Sequence, residues 1–473
     1  MPWRLARNCM SARPVTLFAT HAWVEGAWAR DVLLGIGADG HWDQVRADVP
    51  MAQRLGARVL PAPVLPGVVN AHSHAFQRAI AGLTERSSGP AAASDDFWSW
   101  RERMYSVASR ISPDQLEAIA CFLYAELLAA GYTQVCEFHY LHNAADGQPE
   151  ADPLEMSLAL VRAARSVGIG LTLLPTLYMH AGFGATALQT NQRRFASTPD
   201  SVLRLVEQLR AQSAPGSLFH VGLAVHSLRA ADLGAIRELD AHARREQLPI
   251  HIHVAEQTQE VQDCIAATGQ RPIEHLLTKL RLDARWNLVH ATHGTVAELK
   301  AVSQSGASIV LCPSTEANLG DGVFDLLAYA DAGGRWSIGS DSHVTRCWTE
   351  EMRLLEYSQR MTRRQRNLAG RAAGASSTAG ALLQGAIGGG SAASGVRLGG
   401  IRLGQRADFL VLDDQSPSLL GVPPGHVLDA LVFSSPDARI SEVYVAGRKR
   451  LDEPQAGAQR ARNFAQIMKT LWA

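Results

Sequence analysis

The sequence predicts an α/β fold, a TIM-like (β/α)8 barrel joined to a small β-sandwich domain that both chain ends build. Three observations predict it. Short apolar runs alternate with helix-period segments through the middle of the chain. Those runs are apolar throughout rather than on every second residue, as strands buried on both faces require. Similar short β segments, broken by turns, occupy the two ends.

In chain order, residues 14–19, 22–24 and 31–37 read as strands, and the first helical period falls around 45–55. The central strand candidates are 64–74, 133–139, 171–177, 220–226, 249–254, 286–291, 308–311 and 336–339. Helix-period segments at 113–130, 153–167, 200–212, 230–246, 272–280 and 296–305 separate most of them. About eight such units argue for a closed parallel barrel ringed by helices. A doubly wound open sheet would place a Gly-rich dinucleotide turn after the first strand, and none is present. The Gly-rich tract 385–404 lacks a Gly-Lys-Ser/Thr ending and reads as a linker or loop. Near the C-terminus 407–412 and 440–448 are strands, with a turn at Gly447. The expected division is 1–65 for the N-terminal part of the β domain and 66–385 for the barrel. Residues 386–473 supply the rest of the β domain and a terminal helix.

The composition is that of an ordinary soluble protein, 47% apolar and 19% charged. Lys+Arg and Asp+Glu both count 45, so no net charge steers the chain toward nucleic acid or an anionic membrane. The cysteines Cys9, Cys121, Cys136, Cys264, Cys312 and Cys347 are scattered, with no Cys-x-x-Cys pair, which points to reduced thiols and a cytoplasmic location. No run is long and apolar enough to span a bilayer, and Met10 is an alternative start to Met1. After the first barrel strand, a flexible tract at 87–94 leads into the aromatic Phe97-Trp98-Ser99-Trp100-Arg101, which we read as a lid over the barrel mouth.

In a barrel of this kind the working residues stand at the C-terminal ends of the strands. Strand one ends in His72-Ser73-His74, whose imidazoles share a side because residues i and i+2 of a strand do. Strand five ends in His251-Ile252-His253 with Glu256 just beyond, strand six in His290 and strand eight in Asp341. His72, His74, His253 and Asp341 form a three-imidazole, one-carboxylate set suited to zinc, with iron as the alternative, and with a position left for water. Such an ion lowers the pKa of a bound water toward about 7, and the resulting hydroxide is the expected nucleophile. His251 points to the opposite side and is left out of the set. Glu256 is placed to carry a proton to a leaving amine, and His290 to stabilise developing charge. No lysine ends strand four to bridge two ions through a carbamate, so one metal is expected.

These residues resemble the mononuclear deaminase branch of the amidohydrolase superfamily. The wider set narrows this to its formimidoylglutamate deiminase family: Pro66-Gly-Val-Val-Asn-Ala-His-Ser-His-Ala-Phe-Gln-Arg78, Glu137-Phe-His-Tyr140, His226-Ser-Leu-Arg229, Val289-His-Ala-Thr-His293, Cys312-Pro-Ser-Thr-Glu-Ala-Asn-Leu-Gly-Asp-Gly322 and Gly339-Ser-Asp-Ser-His343. The resemblance implies hydrolysis of N-formimino-L-glutamate to N-formyl-L-glutamate and ammonia in histidine degradation. It also implies substrate contacts from Gln77, Arg101, Tyr140, His226 and Arg229, and a homodimer. Paired arginines suit a substrate with two carboxylates. The alternative is a mononuclear zinc deaminase for guanine or another cyclic amidine, in which an aromatic cage would replace the arginine pair. A catalytically dead scaffold would have lost ligands, and every ligand is present here.

Overall fold

The computed structural model describes residues 15–86, 96–214, 216–434, 439–450 and 454–472. The 87–94 half of the expected lid and both candidate start residues lie outside the described residues.

Eight parallel strands pair in chain order, Val68–Ser73, Tyr132–His139, Gly170–Leu177, Leu223–Ser227, Ile250–Val254, Trp286–His290, Ser308–Leu311 and Arg335–Ile338. All but the fourth and eighth are buried at every residue, which is why their sequences are apolar throughout rather than alternating. Strands one and eight meet at a single bridge, Ser73 to Asp341. There the Asp341 N–H donates to the His72 carbonyl at 3.0 Å and the His74 N–H to the Asp341 carbonyl at 3.3 Å. Asn70 clamps the same seam: its Nδ2 donates to Ser340 Oγ at 2.7 Å, and its Oδ1 accepts from the Ser340 N–H at 2.9 Å. The chain therefore stitches its His-x-His pair to Asp341 through the backbone.

The outer helices start and stop where local chemistry dictates. Pro113–Ala129 opens on a Ser112–Gln115 capping box with proline in its first turn. Val296–Ser305 opens on a Thr295–Glu298 box and ends at Gly306, whose φ of 82° only glycine adopts at no steric cost.

Both chain ends build the β-sandwich. Val15–Val24 and Ala27–Ile36 form a hairpin extended by Trp42–Arg46, while Phe409–Leu412, Ile440–Val445 and Arg448–Lys449 form the other side. Val64–Pro66 pairs with Val15–Val24 on one side and Phe409–Leu412 on the other, joining the halves. It runs almost directly into the first barrel strand, so the sandwich anchors the strand that carries His72 and His74.

Three expectations are corrected. Of the strands expected at 14–19 and 22–24, the described residues fuse into one ten-residue strand, Val15–Val24. The helical period around 45–55 is instead the end of strand Trp42–Arg46 followed by a short 3-10 turn, Met51–Gln53. Pro50 lacks the N–H that an α-helix crossing it would need. The tract from Gly385 is not a linker, since its first half belongs to the helix Thr378–Ser394 under the barrel. The division expected at 385/386 falls inside that helix. Its glycines permit contact rather than motion. A Cβ on Gly389 would lie 1.9 Å from the Trp336 carbonyl oxygen, and one on Gly390 would lie 2.8 Å from Val69 Cβ. His251 does point away from the metal set, and its Nε2 bonds the Ala393 carbonyl at 2.8 Å to pin this helix. Among the described residues, no helix is long and apolar enough to cross a membrane.

Candidate active site

The predicted metal set converges at the barrel's C-terminal rim. His72 Nε2 lies 3.1 Å from His74 Nε2, 3.0 Å from His253 Nε2 and 3.4 Å from Asp341 Oδ1. His74 Nε2 is 3.3 Å from the same Asp341 oxygen, and all four donor atoms lie within 4.8 Å of one another. A tetrahedral site with bonds of about 2.0–2.1 Å has edges of about 3.3 Å, so the spacing fits one small divalent ion. The tautomers fit as well. His74 Nδ1 lies 2.9 Å from the Phe138 carbonyl and His253 Nδ1 2.9 Å from that of His226. A carbonyl only accepts, so both Nδ1 atoms carry the proton and both Nε2 lone pairs face inward. Burial drives all three imidazoles below their ordinary pKa, into the neutral form that ligation needs.

The backbone that presents these groups is strained. Ala255, His290, Ala291, Asp341 and His343 have φ between 45° and 69°, in the left-handed region, where strands five, six and eight end. Buried carboxylates hold the turns in place. Glu260 accepts the backbone N–H groups of Ala255 and Glu256 at 3.2 and 3.0 Å. Glu137 accepts Ser73 Oγ–H at 2.7 Å, the Ala75 N–H at 2.6 Å and Tyr124 O–H at 3.1 Å.

Glu256, His290 and Asp341 cluster beside the metal set, an arrangement in which they could relay protons. Asp341 turns Oδ1 to the histidines and Oδ2 to His290 Nε2, 3.8 Å away, while Glu256 Oε1 is 3.7 Å from that nitrogen. Burial pushes the Glu256 carboxyl up to about 7, against the pull of His290 and Arg229. Burial opposes charge on His290, but the carboxylates of Glu256, Glu316 and Asp341 outweigh it and raise its pKa to about 10. Glu316 stands in the Cys312–Gly322 motif, but the sequence assigned it no role. Its Oε1 lies 3.3 Å from His290 Nδ1 and accepts the Cys312 N–H at 2.9 Å, which fixes the ring with Nε2 toward the relay.

The five predicted substrate contacts share one pocket with this relay. Gln77, Arg101, Tyr140, His226 and Arg229 line it together with His74, His253, Glu256, His290 and Asp341. Gln77 Nε2 donates to Tyr140 Oη at 3.3 Å, which leaves its Oε1 buried without a partner. Arg101 Nε is likewise buried and unpartnered. Among the described residues no carboxylate pairs with Arg101 or Arg229, although Arg229 is only 8% exposed. Arg229 is buried and Arg101 half-buried, and although Glu260 and Glu256 favour the Arg229 charge from a distance, neither guanidinium has a direct ion pair, which leaves their donors free for an anionic ligand. The helix Phe97–Ala108 supplies Phe97, Trp100, Arg101, Met104 and Tyr105 to the pocket, so the aromatic half of the expected lid is a wall of the site. Sequence reasoning missed Tyr105, although it stands four residues after Arg101 and so on the same helix face. It also missed Tyr178, whose ring lies 4.5 Å from that of His226.

Comparison with known proteins agrees with this architecture. Residues 64–450 match the model of the amidohydrolase family. The chain belongs to the amidohydrolase family. It is 46% identical over 467 residues to the formimidoylglutamate deiminase of Pseudomonas aeruginosa, covering 96% of this chain and 99% of that one. A crystal structure of an amidohydrolase from Brucella melitensis superposes with a TM-score of 0.90 at 40% identity, covering 97% of this chain and 100% of that one. An adenosine deaminase from Xanthomonas campestris, solved with bound zinc, superposes with a TM-score of 0.77, covering 96% of this chain and 98% of that one. At 21% identity that likeness is one of fold. The protein is accordingly a hydrolase of C–N bonds with a deiminase role, built to hold a divalent metal.

Proposed function

We propose that the protein hydrolyses N-formimino-L-glutamate to N-formyl-L-glutamate and ammonia, with zinc as its metal. The observation that carries this reading is the pair of guanidiniums, Arg101 and Arg229, which line the pocket that also holds Glu256, His290 and Asp341 and which, among the described residues, have no carboxylate within ion-pair distance. A glutamate derivative brings two carboxylates that such groups bind bidentately. A cyclic amidine offers neither, and the pocket's aromatic residues, Phe97, Trp100, Tyr105 and Tyr140, stand beside the arginine pair rather than in place of it.

His72, His74, His253 and Asp341 would hold the ion. When bound, it supplies Lewis acidity that lowers the pKa of a water. Asp341 Oδ2, turned away from the histidines, is placed to take the proton of the attacking water. His290, charged and aimed by Glu316, is placed to hydrogen-bond and orient the attacking oxygen as the formimino carbon becomes tetrahedral. Glu256, with a pKa near neutrality, passes protons to the departing nitrogen, one originating in the water and taken up by Asp341, the other from the hydroxyl of the tetrahedral carbon, so that ammonia leaves as the C=O bond forms. The unpartnered Gln77 Oε1 is available to an N–H of the formimino group. A role in histidine degradation, a homodimeric assembly and a cytoplasmic location belong to the same reading, and the family resemblance carries them rather than the geometry.

The test is ammonia release from N-formimino-L-glutamate by the zinc-loaded protein, with guanine alongside. Turnover of the first and not the second is expected. Glu256→Gln should keep stoichiometric zinc and lose at least about 100-fold in kcat. Release from guanine alone would overturn the substrate, and a fully active Glu256→Gln would overturn the proton route.

A further inference from the structure

We propose that Trp98 is a positioning residue which sets the spacing of Arg101 and Arg229, and thereby the length of dicarboxylate the pocket accepts. This rests on the reading above that these two arginines take the substrate's carboxylates. The Arg101 Cζ lies 4.4 Å from the centroid of the Trp98 ring and the Arg229 Cζ lies 5.5 Å from it. Each guanidinium also meets an aromatic ring of its own, Tyr105 at 5.5 Å for Arg101 and Phe97 at 5.8 Å for Arg229. Trp98 is the ring they share.

Two like charges in one pocket repel, and among the described residues no carboxylate stands within ion-pair distance of either, Glu260 and Glu256 favouring the Arg229 charge only from further off. An indole, the strongest of the aromatic cation acceptors, meets both guanidiniums where no carboxylate pairs with them directly. Trp98 does this from outside. It is absent from the lining of the metal-side pocket. With Arg101 and Arg229 it lines a neighbouring outer cavity bounded by Phe183, Thr186 and Asp263. The arginines therefore form a partition, facing the relay on one side and backed by the indole on the other. The backbone that carries the ring is fixed, because Asp96 Oδ1 caps the helix by accepting the N–H groups of Trp98 and Ser99 at 3.0 and 3.1 Å. The Phe97 ring also meets it edge-on at 5.0 Å.

The experiment is calorimetric titration of the zinc-loaded protein, Trp98→Leu and Trp98→Phe with glutarate and succinate, which carry the carboxylate spacings of glutamate and aspartate and undergo no reaction. The unsubstituted protein should prefer glutarate. Trp98→Leu should weaken glutarate about tenfold and draw the glutarate-to-succinate ratio toward one, while Trp98→Phe keeps most of that ratio. A ratio unchanged in Trp98→Leu overturns the inference, whether or not both affinities fall together, because a ring that merely packs would not set length. So does a Trp98→Phe protein as indifferent to length as Trp98→Leu. Ammonia release from N-formimino-L-glutamate by the unsubstituted protein judges the proposed function separately, since titration of unreactive diacids needs no turnover.

Discussion

Glu316 does its work through one ring. Its Oε1 accepts from His290 Nδ1 and from the Cys312 amide, so the imidazolium cannot turn without giving up a charge-assisted hydrogen bond inside a buried site. Glu316→Ala should therefore lower kcat by about 10–100-fold and leave KM and zinc content near their original values, measured as ammonia release against metal analysis. Equal loss in KM and kcat would mean that the residue shapes the pocket instead. Glu351 shows the other fate of a buried acid. Both of its oxygens are taken by Ser314, through the N–H at 2.9 Å and the hydroxyl at 2.6 Å, and burial pushes its pKa up to about 8. An acid whose folded pKa is raised holds its proton longer in the native state. Its contribution is complete below pH 4.5 and is lost as the pH rises through about 8, by about 1.4 kcal/mol per unit. Glu351→Gln mimics the protonated form, so denaturant melts between pH 5 and 8 should show a shallower decline in stability than the parent. A parallel decline would remove Glu351 from the account.

At the scale of elements, the helix Thr378–Ser394 tests whether glycine marks contact or flexibility. A methyl group at position 389 would meet a backbone carbonyl of strand eight, which cannot swing aside as a side chain can. Gly389→Ala should cost about 1–3 kcal/mol despite alanine's better helix propensity, read as a lower denaturation midpoint. Gly388, which faces open space, should tolerate alanine or gain slightly from it. The same helix shows what the sequence made legible. The barrel strands are apolar on both faces, so Trp286–His290 and Ser308–Leu311 stood out within a residue of their observed ends. The ligands were legible because a strand's two-residue period puts His72 and His74 on one side and sends His251 away. Glycine content carries no such signal, since the residue that permits a turn also permits close packing. Glu316 and Trp98 were illegible for a related reason. Each acts on a residue far off in sequence, on His290 in one case and on Arg229 in the other, and no local period records that meeting.

For the whole molecule, the metal set ties strands one, five and eight together at one point. His72 and His74 come from strand one, His253 from strand five and Asp341 from the end of strand eight. Only one bridge and a few hydrogen bonds close the barrel between strands eight and one. An ion held there would bind the folded chain alone, because unfolding scatters its ligands across residues 72 to 341. Mass action then stabilises the native state by about 4 kcal/mol at a free metal concentration one thousand times the Kd. A domain of 150–250 residues shifts about 2–4 °C per kcal/mol and a longer chain less, so chelation should lower the Tm by about 5 °C and added zinc should restore it. Asp341→Asn should blunt that dependence, with the melting of its zinc-loaded form approaching that of the stripped parent. The loss should also be local. Hydrogen exchange at the His74 and Asp341 amides, which bond across the seam, should speed up on stripping, while amides in the Val15–Val24 strand of the sandwich stay protected. An unchanged Tm in a protein shown by metal analysis to be stripped would mean that the seam is closed by its backbone and by Asn70 alone. The ion would then serve the chemistry without serving the fold.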